Sequence, residues 1–200
     1  MFKSMFVTGL GGQGVITFAR LIAGYASNQG LKVSLFNSKG MAQRGGRVTS
    51  EIRISSDHDF VYGARLSAGG ADLLIGMEIG EAVNSLSFLK TGGLVLLLDY
   101  AFVPASMILK KETYPGFDQI REVFSQKTNC FFGVAEPKHP YNVYLLGVLG
   151  AILEHVPEAL PGFTCKGLEQ TVRFSLKRDL EENLRVFHEG CIYGGKLTGS

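Results

Sequence analysis

Apolar positions along this chain change period several times, and each change marks an element. Residues 5–8 form a short apolar run that stops at glycine, the pattern of a buried strand. Val15, Phe18, Leu21, Ile22 and Tyr25 then recur at helical spacing over 15–27. Gly30 closes that helix, and 31–36 reads as a second strand. Strand, glycine turn, helix and strand make a βαβ unit, whose crossover predicts two parallel strands.

Past residue 46 the period falls to two. Val48, Ser50, Ile52 and Ile54 alternate with Thr49, Glu51, Arg53 and Ser55, predicting a half-buried strand. Residues 60–62 are expected to return as its hairpin partner, which would make the sheet mixed. Further strands are expected at 71–77, 94–98, 107–109 and 129–132, with Thr91-Gly92-Gly93 as a turn. Helices are expected at 81–89, 118–126 and 141–155, the last bounded by Pro140 and Pro157. Residues 166–184 read as one charged amphipathic helix, with the glycines of 190–195 ending the order. The fold class is α/β: a Rossmann-like, three-layer domain with a mostly parallel, mixed sheet containing a β-hairpin. It occupies 1–200 as a single domain, with a C-terminal helical part over about 141–195.

Charge adds a local asymmetry. The first fifty residues contain no acid but carry Lys3, Arg20, Lys32, Lys39, Arg44 and Arg47. Residues 151–200 are near neutral, and the net charge of +2 gives no reason to expect nucleic-acid binding. Only 19% of residues are charged and 46% are apolar, which favours a surface buried against another subunit. No apolar stretch is long enough to span a membrane. Three well-separated cysteines and the lack of a signal peptide point to the cytoplasm.

The basic quarter holds two glycine-rich loops, Gly9-Leu10-Gly11-Gly12-Gln13-Gly14 and Gly40-Met41-Ala42-Gln43-Arg44-Gly45-Gly46. Exposed backbone N–H groups beside cations suit an anionic partner. Gly9, Gly11 and Gly14 fit the dinucleotide fingerprint, and their place after the first strand aims a helix N-terminus at the carboxyl end of the sheet. The acid that would bind the ribose is missing, however: the second strand ends Phe36-Asn37-Ser38-Lys39. Asn37 and Lys39 leave an NADP-binding reductase open as an alternative. Gln13 has two readings, a side chain facing a partner or one that fixes the turn through backbone bonds. Arg44 likewise either grips phosphate or carboxylate or ties the two loops together.

The wording of these loops resembles the gamma-type module of 2-oxoacid:ferredoxin oxidoreductases. Met-Ala-Gln-Arg-Gly-Gly at 41–46 is similar to the beta subunit of the indolepyruvate branch, where the pyruvate and 2-oxoglutarate branches carry tyrosine-glycine-proline and an acid. The resemblance continues through Glu51-Ile52-Arg53-Ile54, Ala71-Asp72-Leu73-Leu74, Gly92-Gly93, and Asn142 with Leu146-Gly147. It covers 5–150 and fades beyond. Arg47 replaces an expected small residue and Lys39 a common histidine, which leaves the choice of 2-oxoacid open.

The resemblance implies oxidative decarboxylation of a 2-oxoacid, indolepyruvate or another aryl pyruvate, to an acyl-CoA, with electrons passed to ferredoxin. Thiamine diphosphate, iron–sulfur clusters and coenzyme A then belong to the holoenzyme. Three cysteines cannot supply four cluster ligands, and no thiamine-diphosphate motif is present, so a large catalytic alpha subunit would carry both. The implied site comprises Gly9, Gly11, Gly12, Gln13, Gly14, Gly40, Gln43, Arg44, Gly45 and Gly46, with Arg47 as a second cation. No catalytic residue or metal ligand is expected on this chain, and its four histidines read as structural. The chain would homodimerise when isolated. A non-catalytic docking or regulatory module remains the other alternative.

Overall fold

The computed structural model describes residues 1–40, 45–57, 59, 63, 65–137 and 140–199. Six strands form one sheet: β1 (Phe2–Leu10), β2 (Lys32–Lys39), β3 (Arg47–Ser55), β4 (Ala71–Gly76), β5 (Leu89–Asp99) and β6 (Phe131–Ala135). Their spatial order is β2-β3-β1-β4-β5-β6. β1, β4, β5 and β6 pair in parallel, whereas β3 runs antiparallel to both its neighbours. β1 and β2 therefore share a direction, as the βαβ reading requires, but β3 lies between them. The sheet is mixed because of β3, and the hairpin is β2–β3, closed by the second glycine loop. The hairpin partner expected at 60–62 lies outside the described residues.

Strand side chains alternate between two helical layers. Met5, Val7, Leu73, Ile75, Leu94, Leu96 and Leu98 face one layer, and Leu74, Val95 and Leu97 face the other. The first layer contains α1 (Val15–Asn28), α5 (Tyr141–His155), α6 (Cys165–Ser175) and α7 (Leu180–Thr198). The second contains α2 (Ile79–Asn84) and α4 (Phe117–Ser125); α3 (Ala105–Lys110) follows β5. Parallel strands covered on both faces need continuous apolar sequence, which is why 94–98 is entirely buried. Full burial of a side chain such as Phe18 or Ile22 stabilises by about 1.5–3 kcal/mol.

Several sequence expectations change. Residues 107–109 belong to α3, not to a strand. Gly92 and Gly93 lie inside β5, where the pairing with β4 is irregular between Ala71 and Leu73. The helix expected at 81–89 is α2 followed by a 3₁₀ turn at Leu86–Phe88. The single C-terminal helix is two, broken before Asp179, whose backbone is left-handed at φ 51°. Gly190 and Gly194 do not end the order; they lie within α7, against α5. A methyl group on Gly190 would overlap the carbonyl of Tyr144, and one on Gly147 would overlap that of Phe187. Glycine at the crossing lets these two backbones touch.

Candidate functional site

The first loop is built from the end of β1. Gln13 N–H donates to Leu10 O at 3.2 Å to make the turn. Its side chain faces inward: Oε1 accepts from Leu10 N–H at 2.7 Å, and Nε2 donates to Met77 O at 2.7 Å. Both ends of the amide are bonded to backbone, so Gln13 fastens the loop to the residue after β4. Gly9 lies behind the loop, packed among Gln13, Met77 and Val15.

Gly14 then opens α1 with φ 81°, a conformation that favours glycine. A side chain there would also meet the Asn142 amide at 2.6 Å. α1 starts with no side-chain cap and no acidic residue in its first turn. Its leading N–H groups therefore present partial positive charge to whatever lies outside.

The second loop joins β2 to β3. Lys39 pairs with Val48 in register, and Gly40 N–H donates to Arg47 O at 2.7 Å. The two loops meet where Gly11 N–H donates to Gly46 O at 2.9 Å. Between them is a cleft of about 740 Å³ lined by Gly11, Gly12, Gly14, Gly40, Gly45 and Gly46. Leu10, Val15, Ile16, Thr17, Lys39 and Val48 complete the lining. Gln43 and Arg44 lie outside the described residues. The cleft opens at the carboxyl ends of the parallel strands, where open α/β sheets bind ligands.

Arg47, the other cation of this loop region, pairs within the fold. Its Nε lies 3.0 Å from Glu81 Oε2, and its Nη2 donates to Ser85 Oγ at 3.0 Å. The side chain thus ties β3 to α2 and its following turn. Burial pushes the Glu81 carboxyl above its ordinary range, the Arg47 charge opposes this, and Glu78 adds to it. Lys39 is the exposed cation among the described residues lining the cleft.

Glu78, which sequence reasoning passed over, organises the neighbouring hollow of about 400 Å³. It is 2% exposed. Oε2 accepts from Glu81 N–H at 2.8 Å and caps α2, while Oε1 accepts from Phe102 N–H at 3.1 Å and Tyr114 OH at 2.7 Å. Burial, followed by the bond to Glu78, pushes the Tyr114 hydroxyl upward, so it stays a protonated donor. The only signal in the sequence is an acid before a helical stretch, and glutamate is not a preferred capping residue.

Other candidates are remote. His188 Nε2 sits 3.2 Å from Glu169, and His155 Nδ1 lies 3.0 Å from Ala151 O. His58 and His139 lie outside the described residues. Among those described, no three His, Cys, Asp or Glu side chains are grouped to hold a metal ion, and no helix is long and apolar enough to cross a membrane. The dinucleotide alternative meets a topological obstacle, since β3 occupies the place beside β1 where the ribose-binding strand would lie. Asn37 Oδ1 accepts from Ser50 Oγ at 2.6 Å and is engaged within that hairpin.

The chain matches the sequence profile described as pyruvate ferredoxin/flavodoxin oxidoreductase over residues 4–193. It is 29% identical over 208 residues to the indolepyruvate oxidoreductase subunit IorB of Thermococcus kodakarensis, covering 98% of each chain. The protein of the same name from Archaeoglobus fulgidus is 37% identical over 120 residues, 60% of this chain and 58% of that one. In structure, all of this chain superposes on 2-oxoglutarate:ferredoxin oxidoreductase from Magnetococcus marinus, with TM-score 0.68 and 19% identity. It spans 32% of that longer polypeptide. The gamma subunit of a keto/oxoacid ferredoxin oxidoreductase from Geobacter sulfurreducens aligns over 98% of both chains, with TM-score 0.60 and 21% identity.

Proposed function

Because the chain belongs to the pyruvate ferredoxin/flavodoxin oxidoreductase family, we propose that it is the small subunit of an indolepyruvate-type 2-oxoacid:ferredoxin oxidoreductase, with its cleft forming one wall of a shared active site. The observation that carries this reading is the Gly11–Gly46 bond, which joins two glycine loops around a single cleft. The uncapped start of α1, the backbone N–H groups of the first loop and Lys39 fit an anionic group of the 2-oxoacid or of coenzyme A. Arg44, next to Gly45, is assigned as the bidentate cation.

The donor set also divides the labour between subunits. Three cysteines cannot ligate a cluster that needs four, so iron–sulfur clusters and thiamine diphosphate are assigned to a large alpha subunit. Bound there, thiamine diphosphate supplies the carbanion chemistry and the clusters pass electrons toward ferredoxin. This chain's residues bind the anionic groups, orient them and close the site to water. An exposed apolar side chain supports docking beside the cleft: Phe102, which lies against Gly45, is 47% exposed. This reading goes with a cytoplasmic complex and with a homodimer when the chain is isolated, both as proposals.

The test is co-expression with the cluster-bearing subunit, followed by purification and viologen reduction with indolepyruvate, pyruvate and 2-oxoglutarate, with and without coenzyme A. A coloured complex that prefers indolepyruvate and requires coenzyme A is expected. Arg44→Ala and Lys39→Ala should raise KM for coenzyme A or the 2-oxoacid while the complex still assembles. Absence of a complex, or unchanged kinetics in both variants, would overturn the reading.

A further inference from the structure

A small basic hollow lies on the far side of the β2–β3 hairpin from the glycine-loop cleft. Alternation along β3 sends Val48, Ile52 and Ile54 into the layer of α1, so Arg47, Thr49 and Glu51 fall on the other face. Thr49 pairs in register with Ser38 of β2, which places the two hydroxyls on that same face. The hollow there holds about 210 Å³, and Phe6 and Phe88 line it as a stacked pair with centroids 4.3 Å apart. Arg47, Arg65 and Lys39 also line it, and no acidic side chain does among the described residues.

Two carboxylates hold the arginines from behind. Glu51, 3% exposed, accepts from Leu66 N–H and stands 3.4 Å from Arg65 Nε, while the Arg65 guanidinium lies 5.1 Å from the centre of the Phe36 ring. Arg47 is held in turn by Glu81 and Ser85. These bonds engage Nε and Nη2 of Arg47 and Nε of Arg65, so each guanidinium keeps further N–H groups to donate. Thr49 adds an independent sign. It is only 7% exposed and lines the hollow, yet its hydroxyl has no hydrogen-bond partner among the described residues. A polar group so buried is ordinarily satisfied, and here the free direction is toward the cations.

We propose that this hollow is a second anion site, which takes a phosphate monoester between Arg47 and Arg65 with the Thr49 and Ser38 hydroxyls as further donors. A planar carboxylate is matched by one guanidinium fork, whereas a tetrahedral phosphate accepts from several sides at once. The volume falls below the roughly 300–1,000 Å³ of pockets for drug-sized ligands, which suits a phosphate group on a short organic stem. The apolar floor of Phe6 and Phe88 limits water and strengthens the charge-assisted bonds. Lys39 and Gly40 line both this hollow and the cleft, so an anion here also braces the base of the second glycine loop. The inference is independent of the function assigned to the cleft.

The experiment titrates the full chain with inorganic phosphate and then glycerol 3-phosphate, following backbone amides by NMR, with acetate and chloride at matched ionic strength as controls. Saturable shifts should centre on Ser38, Gly40 and Thr49, and phosphate should raise the thermal midpoint. Arg65→Lys keeps the charge but removes the fork, and should weaken binding about tenfold or more. Thr49→Val removes the hydroxyl at nearly constant volume and should weaken it about three- to tenfold. Lys166→Ala, which removes an exposed cation on α6, should leave the affinity unchanged. Amide spectra that match the parent away from the hollow report that each variant is folded. No saturable shift, an equal response to acetate or chloride, shifts confined to Gly11, Gly12 and Gly14 of the cleft, or unaltered affinity in Arg65→Lys and Thr49→Val would overturn the proposal.

Discussion

Gln13 Nε2 donates to the carbonyl oxygen of Met77 at 2.7 Å, binding the first glycine loop to the end of the neighbouring parallel strand. The same amide accepts from Leu10 N–H, so one buried side chain satisfies two backbone groups. Gln13→Ala would strand both. The expected loss is about 2 kcal/mol, read as a lower urea midpoint at unchanged slope. A variant as stable as the parent would show that the loop holds its shape without this bond.

Gly14 joins the loop to α5 through its contact with Asn142. Gly14→Ala combines a positive φ with an overlap at 2.6 Å, and we expect it to destabilise by more than about 1 kcal/mol. Adding Asn142→Ala should relieve only part of the overlap, because the β-carbon of residue 142 would still stand 2.9 Å away, and none of the conformational part. A double-mutant cycle measures the coupling between the two positions. Strict additivity would refute the contact.

The α5–α7 crossing offers an internal control. Gly190→Ala forces a methyl group into the backbone of α5, and a loss of about 3 kcal/mol or more is expected. Gly195, in the same helix, faces open space. Gly195→Ala should raise stability by up to about 1 kcal/mol through helix propensity alone. Comparing the two thermal midpoints decides whether glycine in α7 is there for packing.

Tyr114→Phe removes the hydroxyl that donates to Glu78 and leaves Glu78 its two backbone donors. A loss of about 1–2 kcal/mol is expected, together with looser exchange protection at Phe102 N–H. Unchanged amide exchange there would separate the hydroxyl from the hollow's order.

Acid titration should expose the Glu169 cluster. Bonds from Arg173 and then His188 hold its carboxyl below the ordinary value of 4.5. A folded-state value below the unfolded one means that the group stabilises above pH 4.5 and loses that contribution as pH falls through its folded value. Glu169→Gln should therefore flatten the acid limb of stability against pH. The amplitude is about 0.5 kcal/mol or less, because solvent screens the pair. Parallel curves for both proteins would exclude the cluster from acid sensitivity.

Local rules carried much of the fold. The first strand, α1 and α5 were legible because apolar periodicity and their boundary residues agree. The insertion of β3 beside β1 was not, since alternation reveals that a strand exists and says nothing of its neighbour. Residues 107–109 misled as a short apolar run compatible with either period. Glycines 190–195 misled for a different reason: a close helix crossing and a chain end both select glycine, and only the position of α5 separates them. In the site, the loop glycines were readable, but the inward turn of Gln13 and the pairing of Arg47 with Glu81 depend on β4 and α2. Glu78 was missed because two of its three donors, Phe102 N–H and the Tyr114 hydroxyl, come from distant parts of the chain.

The second glycine loop closes a hairpin whose strands pair without a break from Lys32–Ser55 to Lys39–Val48. Its ends are therefore fixed by a scaffold that does not depend on the residues between them. The register of the sheet and the first loop's bond to β4 are set by pairs that involve none of residues 41–44. An architecture of this kind separates what must be inherited from what is free to diverge, and grafting another relative's 41–44 segment onto this chain would test whether that segment governs the anion preference proposed for the cleft.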